Sequence, residues 1–99
     1  MHYDFEWDAF KASANSKKHG VSFEQAATVF LDALALTVFD EVHSQAEERW
    51  FTLGYSNNGI LLAVAHTHQT TEATRARIRI ISARTATKQE QHFYADTPR

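Results

Sequence analysis

The stretch Arg77, Ile78, Arg79, Ile80, Ile81, Ser82, Ala83, Arg84 alternates guanidinium groups with branched apolar side chains at the period of a β-strand. Arg75, Arg77 and Arg79 would project together from one face, while Ile78 and Ile80 enter a core on the other. The ordinary reading is a half-buried strand with a solvated outer face. The alternative gives that face a ligand. Arginine carries a fixed fork of donors that matches phosphate oxygens, and several on one rigid strand form a cradle for an RNA backbone.

The segments on either side of this strand define the rest of the fold. Downstream, Thr87 and Glu90 make a capping box, opening a short helix whose Phe93 and Tyr94 would anchor it to a sheet. Upstream, Trp50 to Tyr55 and Ile60 to Thr67 read as strands, and Asn57, Asn58 and Gly59 between them are turn formers that suit a hairpin. Leu34, Leu36 and Val38 alternate as an earlier strand, and the polar segment from His68 to Thr74 reads as a loop. Nearer the amino terminus, Asp8 can accept from the free amides of a first helix, with Trp7, Phe10 and Ala14 as its apolar stripe and Gly20 as its stop. Ser22 and Gln25 open a second helix, in which Phe23, Ala26, Ala27 and Phe30 share a face. The expected architecture is α+β: an N-terminal helix pair, a sheet of about four antiparallel strands and a short C-terminal helix.

The 99 residues, 43% hydrophobic and 22% charged, suit a single domain over 1–99 with a small core. There is no cysteine, which excludes disulfide staples and thiolate metal sites. The start of the chain lacks the features of a signal peptide, and no apolar run is long enough to span a bilayer, so a soluble cytoplasmic protein without a membrane partner is expected. A net charge of −2 hides an uneven distribution: six Lys and Arg face two acidic residues from Arg75 onward, against four facing ten before it. A basic patch of this kind attracts a polyanion, and the acidic remainder suits a basic partner.

Several side chains could carry chemistry. Lys11, Asn15 and Lys18 recur at helical spacing as a polar stripe that a phosphate chain could touch, although such a stripe is ordinarily a solvated face. His66 and His68 have a spacing that could offer two metal ligands, but nothing completes a metal motif, and no cofactor is expected. His66 shares parity with Ile60, Leu62 and Val64, which fits a hydrogen-bonded residue at the core margin, yet its ordinary pKa suits general acid or base work. Glu47, Glu48 and Arg49 precede a strand, and a carboxylate beside arginines stays ionised and could take a proton from a ribose hydroxyl; a surface salt bridge is the commoner outcome. No nucleophile elbow, Walker loop or paired-cysteine motif is present.

Together these segments resemble the BrnT family, the toxin halves of bacterial type II toxin–antitoxin systems. The resemblance rests on Phe5, Trp7 and Asp8 with Lys11 and Asn15; on KHGVSFEQA from Lys18 to Ala26; on Val29, Phe30 and Asp32; on Glu48, Arg49 and Gly54; and on RIISAR from Arg79 to Arg84, followed by Ala86, Thr87, Glu90 and Tyr94. The chain departs from the pattern at Ala33, where the family often has proline. The resemblance implies a RelE-like ribonuclease fold, RNA cleavage that inhibits translation and growth, and neutralisation by a BrnA-type antitoxin, through which alone promoter DNA would be bound. In a metal-free mechanism of this kind Arg79 and Arg84 would contact the phosphate and its transition state, Arg49, Arg77 and Lys18 would assist in holding RNA, and Glu48 and His66 are the candidate proton-transfer groups. Arg84 has opposite strand parity from Arg79, so the two can cooperate only if the strand ends or bulges between them. The rival is a noncatalytic RNA- or protein-binding module that uses the same basic strand.

Overall fold

The arginine-rich strand, Arg75–Thr85, lies within a mixed sheet and touches three neighbours. A computed structural model describes residues 1–99. In chain order the elements are β1 (His2–Glu6), α1 (Ala9–His19), α2 (Phe23–Ala27) continued by a 3-10 turn (Thr28–Leu31), β2 (Leu36–Phe39), β3 (Trp50–Tyr55), β4 (Leu61–His66), β5 (Gln69–Glu72), β6 (Arg75–Thr85) and α3 (Lys88–Asp96). The strand order is β1-β6-β4-β3-β2, with β5 paired to the first part of β6. The fold class is α+β as expected, but the sheet has six strands rather than about four, and β1 runs parallel to β6. No helix is long and apolar enough to cross a membrane.

Both unexpected strands are short and pair with β6. In β1, Tyr3 and Phe5 pack on Phe30 with ring centroids 5.5 and 5.4 Å away, while Asp4 faces outward and receives a hydrogen bond from Arg75 Nε at 2.8 Å. The segment read as a loop contains β5, whose four residues are all exposed; its backbone pairing, not a hydrophobic face, makes it a strand.

The helix ends follow the local chemistry. Asp8 accepts from the amides of Phe10 and Lys11, Gly20 ends α1 at a φ of 69°, and Ser22 caps α2 through the amide of Gln25. The helix side of the main core is Val21, Phe23, Ala26 and Val29, packed on Leu62, Val64, Ile78, Ile80 and Ala83 of the sheet. Phe10, expected in the apolar stripe, is 88% exposed. The α1 face toward β6 instead carries Ala12 and Asn15. Asn15 is buried: its Nδ2 donates to the carbonyls of Val21 and Ala83 at 2.9 and 2.8 Å, and its Oδ1 accepts from the Ala83 amide at 3.1 Å. β1 stops at Glu6 opposite Arg79, so beyond that point this side chain supplies β6 with the pairing a neighbouring strand would give. Its expected place on a solvated, phosphate-facing stripe is therefore corrected.

The opposite sheet face is covered at one end by α3. The Thr87–Glu90 capping box is present, and Tyr94 packs with Leu53, Leu61, Ala63 and Ala86. Tyr94 donates to Asp32 at 2.6 Å, and the Arg99 guanidinium lies 4.4 Å from its ring centroid. Phe93, the other expected anchor, is 47% exposed. Gly54 lets β3 pass under the 3-10 turn, since a Cβ there would sit 3.0 Å from the Val29 carbonyl oxygen. What α3 leaves uncovered on this face is the region around Arg77 and Arg79.

β6 contains the irregularity that its sequence required. His66 pairs with Ile80 and Ala65 with Ser82, so Ile81 is the extra residue of a bulge. Before it Ala76, Ile78 and Ile80 point into the core; after it Ala83 does. Arg84 thereby shares its sheet face with Arg77 and Arg79.

Candidate active site

Four segments meet on the outward face of the first half of β6. Arg77 and Arg79 come from the strand itself and Glu6 from the end of β1, directly opposite Arg79. Thr67 and His68 come from the β4–β5 connection with Gln69 at the start of β5, and Glu47 and Glu48 from the loop between β2 and β3. These eight residues line a cleft of about 360 Å³ with no hydrophobic side chain in its wall.

The backbone fixes the cleft's floor. The Thr67 amide donates to the Arg79 carbonyl at 3.0 Å, and the Arg79 amide donates to the Thr67 hydroxyl at 3.3 Å. Arg77 donates to the side-chain carbonyl of Gln69 at 3.4 Å. The loop that brings in the carboxylates is pinned at its base. The Asp40 amide donates to the Arg49 carbonyl at 2.9 Å, and the Ser44 hydroxyl accepts from the Arg49 amide at 2.9 Å while donating to the Asp40 carbonyl.

Electrostatically the cleft is a set of opposed charges. Arg79 donates through Nη2 to Glu47, whose same oxygen lies 3.7 Å from Arg49 Nη2. The hydrogen bond from Arg79 holds the Glu47 carboxyl below its usual range against a smaller opposing effect of burial, and the charges of Arg79, Arg49 and Lys11 add to the shift. Glu48 and His68 stand in the same cleft wall. Two guanidinium groups, two free-standing carboxylates and an imidazole can bind an anion and move protons beside it.

Not every residue singled out in the sequence comes to this cleft. His66 is buried on the opposite sheet face, edge-on to Phe30 at 5.0 Å. Its Nδ1 donates to the Thr67 carbonyl at 2.9 Å, so its Nε2 accepts from the Thr52 hydroxyl at 2.7 Å, and that hydroxyl accepts in turn from Thr37 at 2.8 Å. Burial pushes the imidazole pKa down to about 4, so the ring is neutral and engaged at both nitrogens. Arg84 lies about 13 Å along β6 from Arg79 at the usual strand rise. Its guanidinium is bidentate to Glu90, at 2.6 and 3.0 Å, and the pair raises the Arg84 pKa and lowers that of Glu90. Lys18 is exposed in the last turn of α1, outside the cleft wall.

Sequence reasoning did not select Glu6, Thr67, His68 or Gln69 for this cleft; Glu47 was weighed with Glu48 as a proton acceptor or a surface salt bridge, and it forms the salt bridge, to Arg79. Glu6 and Gln69 belong to the two strands that were not expected, and His68 was weighed only as a metal ligand. No group of three or more His, Cys, Asp or Glu side chains is arranged to hold a metal ion.

The fold and cleft define a small α+β domain with an arginine-centred, wholly polar site on one sheet face. The family model described as "Ribonuclease toxin, BrnT, of type II toxin-antitoxin system" matches residues 7–90, and the chain belongs to that family. Among solved structures, it is similar to the 1.1 Å crystal structure of the Brucella abortus ribonuclease toxin BrnT. The two are 23% identical, with a TM-score of 0.62 over 89% of this chain and 100% of that one, which establishes a shared fold. No curated protein matches the chain. A toxin–antitoxin family implies an antitoxin partner.

Proposed function

We propose that the cleft beneath Arg77 and Arg79 cleaves RNA, making the chain an endoribonuclease toxin of RelE-like type. The observation that carries this reading is the meeting of Arg77, Arg79, Glu48 and His68 in one polar cleft. Glu48 takes the proton from a ribose 2′-hydroxyl, whose oxygen forms a bond to the adjacent phosphorus. The bond from phosphorus to the 5′-oxygen breaks, His68 protonates that oxygen, and the products end in a 2′,3′-cyclic phosphate and a 5′-hydroxyl. Arg79 replaces its Glu47 partner with the phosphoryl oxygens and stabilises the charge that builds on them, with Arg77 beside it. The mechanism needs no metal.

The remaining residues support the same chemistry from a distance. Arg49 holds Glu47 when that carboxylate leaves Arg79, and Arg84 meets the RNA backbone further along the strand. Lys18 contributes positive potential at the periphery. His66 acts as a positioning residue, fixing the Thr67 carbonyl next to His68. In the cytoplasm RNA loss inhibits translation and growth, and a BrnA-type antitoxin that binds promoter DNA neutralises the toxin.

The reading is tested by incubating the purified, antitoxin-free protein with RNA in excess chelator. Products that accumulate with time and carry cyclic phosphate ends are expected. Stable RNA binding without turnover would leave a binding module in its place.

A further inference from the structure

A second cavity, on the His66 face of the sheet, meets the cleft at His68. It is about 320 Å³ in volume, lined by Thr37, Trp50 and His68, so that His68 forms a wall of both spaces. Trp50 opens β3 and is only half-buried. Its indole is held in place, pairing across the sheet with Phe39 on one side and His66 on the other, with the Phe39 ring edge-on at 4.9 Å. A large aromatic surface fixed by its neighbours and partly open to solvent is the arrangement on which unstacked nucleobases settle.

We infer that the Trp50 cavity is a nucleobase subsite, receiving a base of the RNA chain where it passes over the end of the sheet from the phosphate held at Arg79. The inference rests on the ribonuclease reading of the cleft. His68 lines both spaces, the cleft on one face of the sheet and the Trp50 cavity on the His66 face, so a chain whose phosphate lies on Arg79 reaches the indole by passing over the end of the sheet at His68. Stacking accepts any base, because every base presents a π-face. The subsite therefore sets the register of the chain more than its sequence.

The test uses Trp50 as its own reporter in a Trp7→Phe background, which leaves one indole in the protein. The probe is a short RNA with 2′-O-methyl groups throughout, which cannot attack its own phosphates, either intact or with a single abasic position stepped along it. Saturating quenching of Trp50 emission is expected on binding, and one abasic position weakens binding about tenfold. Trp50→Leu, with its fold checked by circular dichroism, binds the intact and that abasic RNA equally, and Trp50→Phe falls between. Arg79→Ala weakens all of these RNAs alike. If Arg79→Ala weakens binding while Trp50 emission is unmoved and no abasic position matters, the subsite is wrong and the cleft reading survives. If the wild type binds none of the RNAs, both fall.

Discussion

Arg79 and Arg84 lie on the same face of β6 although an odd number of positions separates them. The extra residue is Ile81, which has no partner on β4 between the His66–Ile80 and Ala65–Ser82 pairs. A regular strand would have sent Arg84 toward α1 and the core. With the bulge, Ala83 takes the inward position and offers its backbone to Asn15, and the two guanidinium groups line one side of the sheet. Their partners differ: Glu47 sits on a loop, whereas Glu90 belongs to the capping box of α3.

Glu47 competes with any anion for Arg79. Glu47→Gln is expected to tighten RNA binding by about two- to fivefold at low salt, the scale of an exposed ion pair, with the gain fading as salt rises. Titration of noncleavable RNA at two salt concentrations checks it. Unchanged or weaker binding would mean that the Arg79–Glu47 pair does not stand in the path of RNA.

Asn15 satisfies three buried backbone groups. Asn15→Ala should cost about 2–4 kcal/mol, because the Ala83 amide and the carbonyls of Val21 and Ala83 lose their partner. Asn15→Asp should be no better tolerated, since a carboxylate cannot donate to either carbonyl. Urea denaturation measures both, and a loss within experimental error for Asn15→Ala would contradict the role of this side chain in closing the edge of β6.

His66 gives stability a pH dependence of known sign. Its folded pKa of about 4 lies below the ordinary value of 6.5, so the unfolded chain takes up the proton first as pH falls. The contribution is complete above pH 6.5 and is lost progressively down to about pH 4, by up to about 3 kcal/mol. The paired carboxylates Asp32 and Glu90, also held below their usual range, act lower, below about pH 4.5. Comparing wild type with His66→Gln between pH 7 and 4.5 isolates the effect: the wild-type curve should slope and the variant's should flatten.

Local signals in the sequence led to the right local structures. Asp8, Gly20, Ser22 and the Thr87–Glu90 box mark helix ends because each satisfies a specific backbone group within a few residues. The hairpin at Asn57 to Gly59 is legible for the same reason, with Gly59 at a φ of 78°. β1 was not legible, because five residues pair in parallel with a strand more than seventy positions away and nothing nearby announces it. β5 has no apolar face to read. The bulge could be posed only as a condition, and the burial of Asn15 depends on where β1 ends. The cleft shared that limit: the arginines were visible in the strand, while the acidic and histidine residues that face them come from three other segments. The separation of an acidic body from a basic end does not survive folding, since Glu6, Glu47 and Glu48 line the same cleft as Arg77 and Arg79.

The cleavage rate of Arg79→Ala under single-turnover conditions, in chelator and with wild type and Arg84→Ala alongside, tests the cleft as the catalytic centre most directly. A loss of about 10²-fold or more is expected for Arg79→Ala with the fold intact, and tenfold or less for Arg84→Ala, whose guanidinium serves binding and α3 rather than the scissile phosphate. Wild-type cleavage by Arg79→Ala, with the loss confined to Arg84→Ala, would place the chemistry at the α3 end of the sheet and contradict the assignment made here.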